Sequence, residues 1–136
     1  MSNKKHYLKE LKKDIVIDPV IPIGQYHKIN TLRIEIDYQK DGRSWLTDEY
    51  HKKGIICRVT PMDKSEYGHR VMYDGKLEHQ GFYVYCLACE RKAPKKMEKI
   101  ADAILPLSDT IKEKFLNNEF RDIAILITNT VKELQF

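Results

Sequence analysis

Apolar and polar residues alternate most regularly over residues 31–39, where Leu32, Ile34, Ile36 and Tyr38 share one face and Arg33, Glu35 and Asp37 the other. A two-residue period of this kind predicts a half-buried antiparallel strand. Residues 54–61 are rich in β-branched side chains and bounded by Gly54 and Pro61, which predicts a second strand with Ile55, Cys57 and Val59 on one face. Residues 82–89 read as a third. There Phe82, Val84, Cys86 and Ala88 alternate with Tyr83, Tyr85, Leu87 and Cys89, and a strand apolar on both faces is expected at the centre of its sheet. A hairpin turn is expected at Lys40-Asp41-Gly42-Arg43, with residues 44–50 returning as a partner strand that carries Trp45. A further turn is expected at His51-Lys52-Lys53-Gly54, and a short strand over residues 70–73 before Asp74-Gly75.

After residue 92 the period changes to about 3.6. Met97, Ile100, Ala101, Ile104 and Leu105 follow Pro94 at helical spacing, and proline is tolerated in a first turn. Pro106 should end or kink that helix, and Ser108 or Asp109 is placed to cap a second segment containing Ile111, Phe115 and Leu116. Asn117-Asn118 offers a stop. Phe120, Ile123, Ala124, Ile127, Val131 and Leu134 then describe a last helix. At the other end, Leu8, Leu11 and Ile15 are spaced for a short helix over residues 3–15. Residues 15–24 carry Pro19 and Pro22, which lack the amide donor that a central strand needs. That segment is expected as an edge laid over the core or as an arm, and an apolar arm can also reach a second copy of the chain in a homodimer. The expected fold class is α+β: an antiparallel meander of three to five strands with two or three C-terminal helices on one face. One domain accommodates the 136 residues, divided into a basic segment and arm (1–29), a sheet (30–92) and helices (93–136).

The apolar run 123–127 is far below the roughly 20 residues of a membrane helix. Three cysteines and an opening MSNKKHYLKE without an apolar stretch argue against a secreted disulfide framework, so a cytoplasmic location with reduced thiols is expected. The 24 basic and 20 acidic residues leave a net charge of +4, a mild excess whose distribution says more than its sum. Lys4, Lys5, Lys9, Lys12 and Lys13 crowd the N-terminus, and Arg91, Lys92, Lys95 and Lys96 follow the last strand. Both groups are either solvated surface or nucleic-acid contacts.

Chemistry is harder to find. Cys86-x-x-Cys89 has a metal-like or redox-like spacing, but residues three apart on a strand point to opposite faces, and zinc would need Cys57 and one of His51, His69 or His79 as well. Buried structural cysteines, zinc and redox use all stay open, the first being favoured; no metal and no cofactor are assigned. The five histidines are scattered, and Glu35, Asp37, Asp48, Glu49 and Glu66 read as solvated surface. Glycine-rich phosphate loops are missing. No catalytic residue is therefore assigned, and the chain reads as a non-enzyme. Aromatic and basic residues interleave along the strands, and Arg43, Trp45, Tyr50, Arg58, Arg70, Tyr73, Tyr83 and Tyr85 are the candidate partner-binding positions. Bases also stack on such aromatics.

Leu32-Arg33-Ile34-Glu35-Ile36, Gly42-x-Ser44-Trp45, the run from Lys53-Gly54-Ile55 to Thr60-Pro61, and the run from Phe82 to Glu90-Arg91-Lys92 resemble a pattern in small uncharacterised bacterial proteins of phages and other mobile elements. The resemblance spans roughly residues 30–105, and its motifs are structural. It implies an accessory protein, such as an inhibitor, adaptor or regulator acting on a host or defence component, and carries over no site residue. The expectation is a protein that binds a protein or nucleoprotein partner, with direct nucleic-acid binding as the alternative and an unrecognised enzyme third.

Overall fold

A computed structural model describes residues 11–39, 42–43, 50–51, 53–66, 69–70, 82–89 and 91–136. The chain is α+β. An antiparallel sheet is followed by helices α1 (Pro94–Ile104), α2 (Ser108–Leu116) and α3 (Phe120–Lys132). Strands β1 (Lys12–Ile23), β2 (His27–Gln39) and β5 (Gly54–Asp63) lie side by side in that order, and the far edge of β5 is shared by β6 (His69–Arg70) at one end and β7 (Phe82–Ala88) at the other. The remaining two, β3 (Gly42–Arg43) and β4 (Tyr50–His51), pair with each other.

The alternation along β2 puts Leu32, Ile34 and Ile36 into a core shared with Ile55, Cys57 and Val59 of β5, and with Met97, Ile100, Ile104, Ile111, Phe115, Ile123, Ile127 and Val131 of the helices. Helical spacing makes this possible, because the buried positions of each helix return to one face every three or four residues. At roughly 1.5–3 kcal/mol per fully buried aliphatic side chain, this one cluster dominates the stability of the fold. Leu105, Pro106 and Leu107 form a 3-10 turn between α1 and α2, as the proline requires. The expected side-chain cap is not formed: Ser108 is the first residue of α2 and its hydroxyl donates to the Leu105 carbonyl instead. The stop at Asn117-Asn118 is formed. Asn118 has φ +61, its N–H donates to the Phe115 carbonyl at 3.0 Å, and the Glu119 N–H donates to the Lys114 carbonyl at 2.8 Å. These are the two bonds of a Schellman cap, and they bring the Phe115 and Phe120 rings to 5.5 Å.

Several expectations are corrected. The sheet starts at Lys12 and not at residue 30, because the segment expected as an edge over the core or as an arm is an edge strand, paired with β2 from Lys12 opposite Glu35 to Ile23 opposite His27. Its prolines are accommodated as an edge strand allows: the register shifts between Val16 and Ile21, around a cis Asp18-Pro19 bond. Gly24, at φ +62, opens the tight return into β2. The helix expected over residues 3–15 falls partly outside the described residues, and its described end, from Lys12 onward, is strand. Of the turn expected at Lys40-Asp41-Gly42-Arg43, Gly42 and Arg43 are strand positions, and residues 40 and 41 lie outside the described residues. Paired positions of β2 and β5 and of β3 and β4 all sum to 93, from Thr31 opposite Met62 to Gln39 opposite Gly54 and on to Arg43 opposite Tyr50. The described pairs of β3 and β4 thus keep the numbering of the β2 and β5 ladder, and within the turn expected at residues 51–54 His51 and Gly54 are strand positions, while residue 52 lies outside the described residues.

The centre of the sheet is β5, buried at every position from Gly54 to Asp63. Among the described residues β7 pairs with β5 alone, so it is not the central strand. A bulge interrupts it: Cys57 is opposite Tyr85 but Arg58 is opposite Tyr83, leaving Val84 as the extra residue. Strict alternation over residues 82–89 is thereby broken. The short strand expected at 70–73 is seen one residue earlier as β6, and residues 71–73 lie outside the described residues. No helix among the described residues is long and apolar enough to cross a membrane.

Candidate nucleic-acid interface

The sheet face opposite the helices carries a ladder of ion pairs. Arg33 on β2 binds Asp14 on β1 through two hydrogen bonds of 2.6 and 2.9 Å, and Lys64 reaches the same carboxylate at 3.0 Å. The Arg33 guanidinium, against a smaller opposing effect of desolvation, holds the Asp14 carboxyl well below the usual carboxylate range, with Lys64 adding to it. One step along, Arg58 on β5 donates from Nε to Glu35 at 3.2 Å and from Nη2 to Asp37 at 3.1 Å. The side chain of Arg58 is only 10% exposed. A buried guanidinium holding two carboxylates is committed to the sheet, so Arg58 is removed from the candidate partner surface; Glu35 is largely covered, while Asp37 pairs with Arg58 and stays exposed to solvent as expected.

A second polar cluster fixes the other end of the sheet. Asp63, at the end of β5, is fully buried and accepts hydrogen bonds from the Lys28 N–H at 3.2 Å, the Ser65 N–H at 3.0 Å and the Ser65 hydroxyl. Desolvation pushes its pKa up, but these donors together outweigh it and leave the carboxyl below its ordinary value. His27 Nδ1 stands 3.8 Å away. Nothing in the sequence marked Asp63, because a single carboxylate at a strand end has the appearance of surface.

Cysteine chemistry is also constrained by the fold. Cys57 faces the helices inside the core, and burial pushes its thiol up to about 12. A thiol of this kind is protonated at neutral pH and is a poor nucleophile or metal ligand. Cys89 is a partly buried free thiol packed against the same core. No group of three or more His, Cys, Asp and Glu side chains among the described residues is placed to hold a metal ion.

Four strands share one end of the sheet. There Leu11 accepts the Ile36 N–H at 2.9 Å, Gln39 is opposite Gly54, Gly54 is opposite Ala88, and the Cys89 N–H donates to the Lys53 carbonyl at 3.3 Å. The Tyr38 hydroxyl donates to the Cys89 carbonyl at 3.5 Å, tying β2 to the exit of β7. Two basic groups far apart in sequence therefore stand at the same end of the sheet, at its two outer strands. Lys12 and Lys13 stand at the start of β1, and Arg91, Lys92, Lys95 and Lys96 follow the end of β7; all six are exposed. None of them has an ion-pair partner among the described residues. Their nearest carboxylates on β2, Glu35 and Asp37, are held by Arg58. With strands about 4.8 Å apart, this end is roughly 15 Å across.

Helix α1 begins in the same place and begins badly for its own stability. Ala93 supplies no side-chain cap, Pro94 occupies the first turn, and that turn has no acidic residue, while Lys95 and Lys96 add positive charge to the positive end of the helix dipole. A helix optimised for stability carries the opposite. The first turn is held otherwise, since Lys96 lies over the Phe136 ring at 5.7 Å and Lys99 donates to the Gln135 carbonyl at 2.6 Å.

The other predicted positions are divided. Arg43 and Tyr50 are backbone partners in the β3 and β4 ribbon, and Arg70 pairs with Met62. Tyr83 is the register partner of Arg58 and Tyr85 that of Cys57. Trp45 and Tyr73, with Lys4, Lys5 and Lys9, lie outside the described residues. No protein-family model, curated protein or solved structure matches the chain.

Proposed function

We propose that the chain is a non-enzymatic binding protein whose basic end takes a polyanion, with nucleic acid as the ligand class. The observation that carries this reading is that Lys12 and Lys13 and the group Arg91, Lys92, Lys95 and Lys96 stand at one end of the sheet, at its two outer strands, exposed and without carboxylate partners among the described residues. Duplex DNA presents one charge per roughly 1.7 Å of axis, so a patch about 15 Å across faces on the order of nine phosphates. The unfavourable charge at the start of α1 supports the same reading, because departures from local stability rules gather at functional sites. A binding role is further supported by the commitment of Asp14, Arg58 and Asp63 to structural pairs and of the Cys57 thiol to the core.

The test is a fluorescence-anisotropy titration of a labelled duplex and of one of its strands with wild-type protein and with Lys92→Glu/Lys95→Glu/Lys96→Glu. Binding by the wild type and its loss in the variant, with the variant still unfolding cooperatively from a folded state, are the expected results. Failure of the wild type to bind either oligonucleotide at low salt would overturn the reading.

A protein partner is the second reading. It is supported by the exposed apolar side chains Val16, Val20 and Tyr26 at the β1 edge and its hairpin, a type of surface that protein interfaces use. Pairing of another strand along this whole edge is opposed by Pro19, Pro22 and the register shift, devices that blunt edge strands. Nuclease-resistant capture of one cellular protein, lost in Val16→Lys/Tyr26→Lys, would favour this second reading.

A further inference from the structure

Of the aromatic side chains that the structure describes, two are exposed, Tyr26 and Phe136. Tyr26 is in the turn between β1 and β2, at the end of the sheet away from the basic groups. Phe136 is beside them. Residues 133–136 leave α3 and lie against α1, where two contacts hold them independently of the Phe136 ring: Leu134 packs against the core, and Lys99 donates from Nζ to the Gln135 carbonyl at 2.6 Å. The ring is thereby kept where Lys96 Nζ stands over it, 5.7 Å from its centroid, and 53% of the residue stays open to solvent. Arg91, Lys92 and Lys95 come just before Lys96 in the chain, and all are exposed. The fold gains little from an aromatic side chain whose apolar surface remains largely in water. A single exposed apolar residue is ordinary; what sets Phe136 apart is that it is fixed among cations.

We propose that Phe136 is a stacking platform for a nucleobase, with Lys96 and its basic neighbours holding phosphates of the same single strand. The inference rests on the polyanion reading above and deepens it, since it names single-stranded nucleic acid as a ligand bound through its bases as well as its phosphates. Proteins that bind single strands combine a basic track for the backbone with aromatic rings for the bases, and the start of α1 brings both together. Lys96 meets the ring by a cation–π contact and has no carboxylate partner among the described residues, so its charge is available to a phosphate. Every base offers a flat face, and the site is therefore indifferent to sequence. In a duplex those faces are closed by the neighbouring base pairs, so Phe136 adds nothing and binding stays with the lysines.

The test compares a labelled oligothymidine with an abasic strand of the same length, which has the phosphates without the bases, by anisotropy at one salt concentration. Phe136→Ala leaves the net charge unchanged and lies outside the core, so simple attraction to phosphate predicts no change with either strand. Stacking predicts that the wild type binds oligothymidine about five- to hundredfold more tightly than the abasic strand, and that Phe136→Ala falls toward the abasic affinity. Phe136→Trp keeps the preference, and duplex affinity is the same in all three proteins. Equal binding of the two strands by the wild type, or a preference that Phe136→Ala leaves undiminished, overturns the stacking site and leaves the basic end standing. An equal loss on both strands overturns it too, because Phe136 then acts only by holding Lys96. Absence of any binding by the wild type, to duplex or to either strand, overturns the polyanion reading itself.

Discussion

Replacing Asp63 by alanine should unlock one end of the sheet. Its carboxylate accepts from the Lys28 N–H at 3.2 Å, from the Ser65 N–H at 3.0 Å and from the Ser65 hydroxyl, joining the start of β2 to the turn after β5. Alanine leaves two backbone donors and a hydroxyl without that acceptor. At about 1.5 kcal/mol for each bond to a charged group, the lower end of its usual range, the expected loss is about 4 kcal/mol. Asp63→Asn keeps one carbonyl oxygen but turns an NH2 group toward a donor, so an intermediate loss of about 2 kcal/mol is expected. Urea unfolding at neutral pH measures both, and hydrogen exchange at the Lys28 amide locates the effect. The pH dependence has a definite sign. The folded-state pKa of Asp63 lies below its ordinary value, so its ionised form stabilises the fold at pH values above the unfolded carboxyl, about 3.9, and this contribution is lost as pH falls through the lower folded value. The gap between wild type and Asp63→Ala should therefore narrow below about pH 4. A loss under about 1 kcal/mol, or an unchanged Lys28 exchange rate, would refute the role given to this carboxylate.

Three further outcomes are expected. The Thr60 hydroxyl is buried without a hydrogen-bond partner among the described residues, so Thr60→Val should raise stability by about 1 kcal/mol in urea unfolding, opposite in sign to a typical buried substitution. Asn118, at φ +61, should gain a few tenths of a kcal/mol as glycine and lose about 1 kcal/mol as valine, checked by the melting temperature of each variant. The raised Cys57 thiol stabilises the fold fully below the unfolded thiol pKa and progressively less as pH rises toward its folded value of about 12; Cys57→Ala should remove part of the alkaline loss, and at pH 8 a thiol reagent should modify Cys89 well before Cys57.

The C-terminal half was legible because its signals are local. Met97, Ile100, Ala101 and Ile104 bury themselves by spacing alone, and Pro106 and Asn118 end helices through their own backbone preferences. Strand β2 was legible for the same reason. The strands were misread where a local signal met a longer-range constraint. Asp41-Gly42 has turn chemistry, yet Gly42 is a ladder position because the register between β2 and β5 continues through it. Pro19 and Pro22 correctly marked an edge but concealed its pairing, which is decided by Ile29, Leu32 and Ile34 across the ladder. The apolar run at 82–88 suggested a central strand, whereas the central place belongs to β5, whose Arg58 is buried because Glu35 and Asp37 lie beside it. For the candidate site, composition disclosed two basic groups. Their approach to a common end depends on the antiparallel order β1, β2, β5, β7, which no spacing within either group encodes.

The most direct measurement is the salt dependence of binding to a labelled duplex. The basic end offers six exposed cations, Lys12, Lys13, Arg91, Lys92, Lys95 and Lys96. If most of them contact phosphates, the slope of log K against log salt is about −3 to −5, and it becomes shallower by about one for each contacting lysine replaced by alanine. A slope near zero, or one unchanged by these substitutions, would contradict the account.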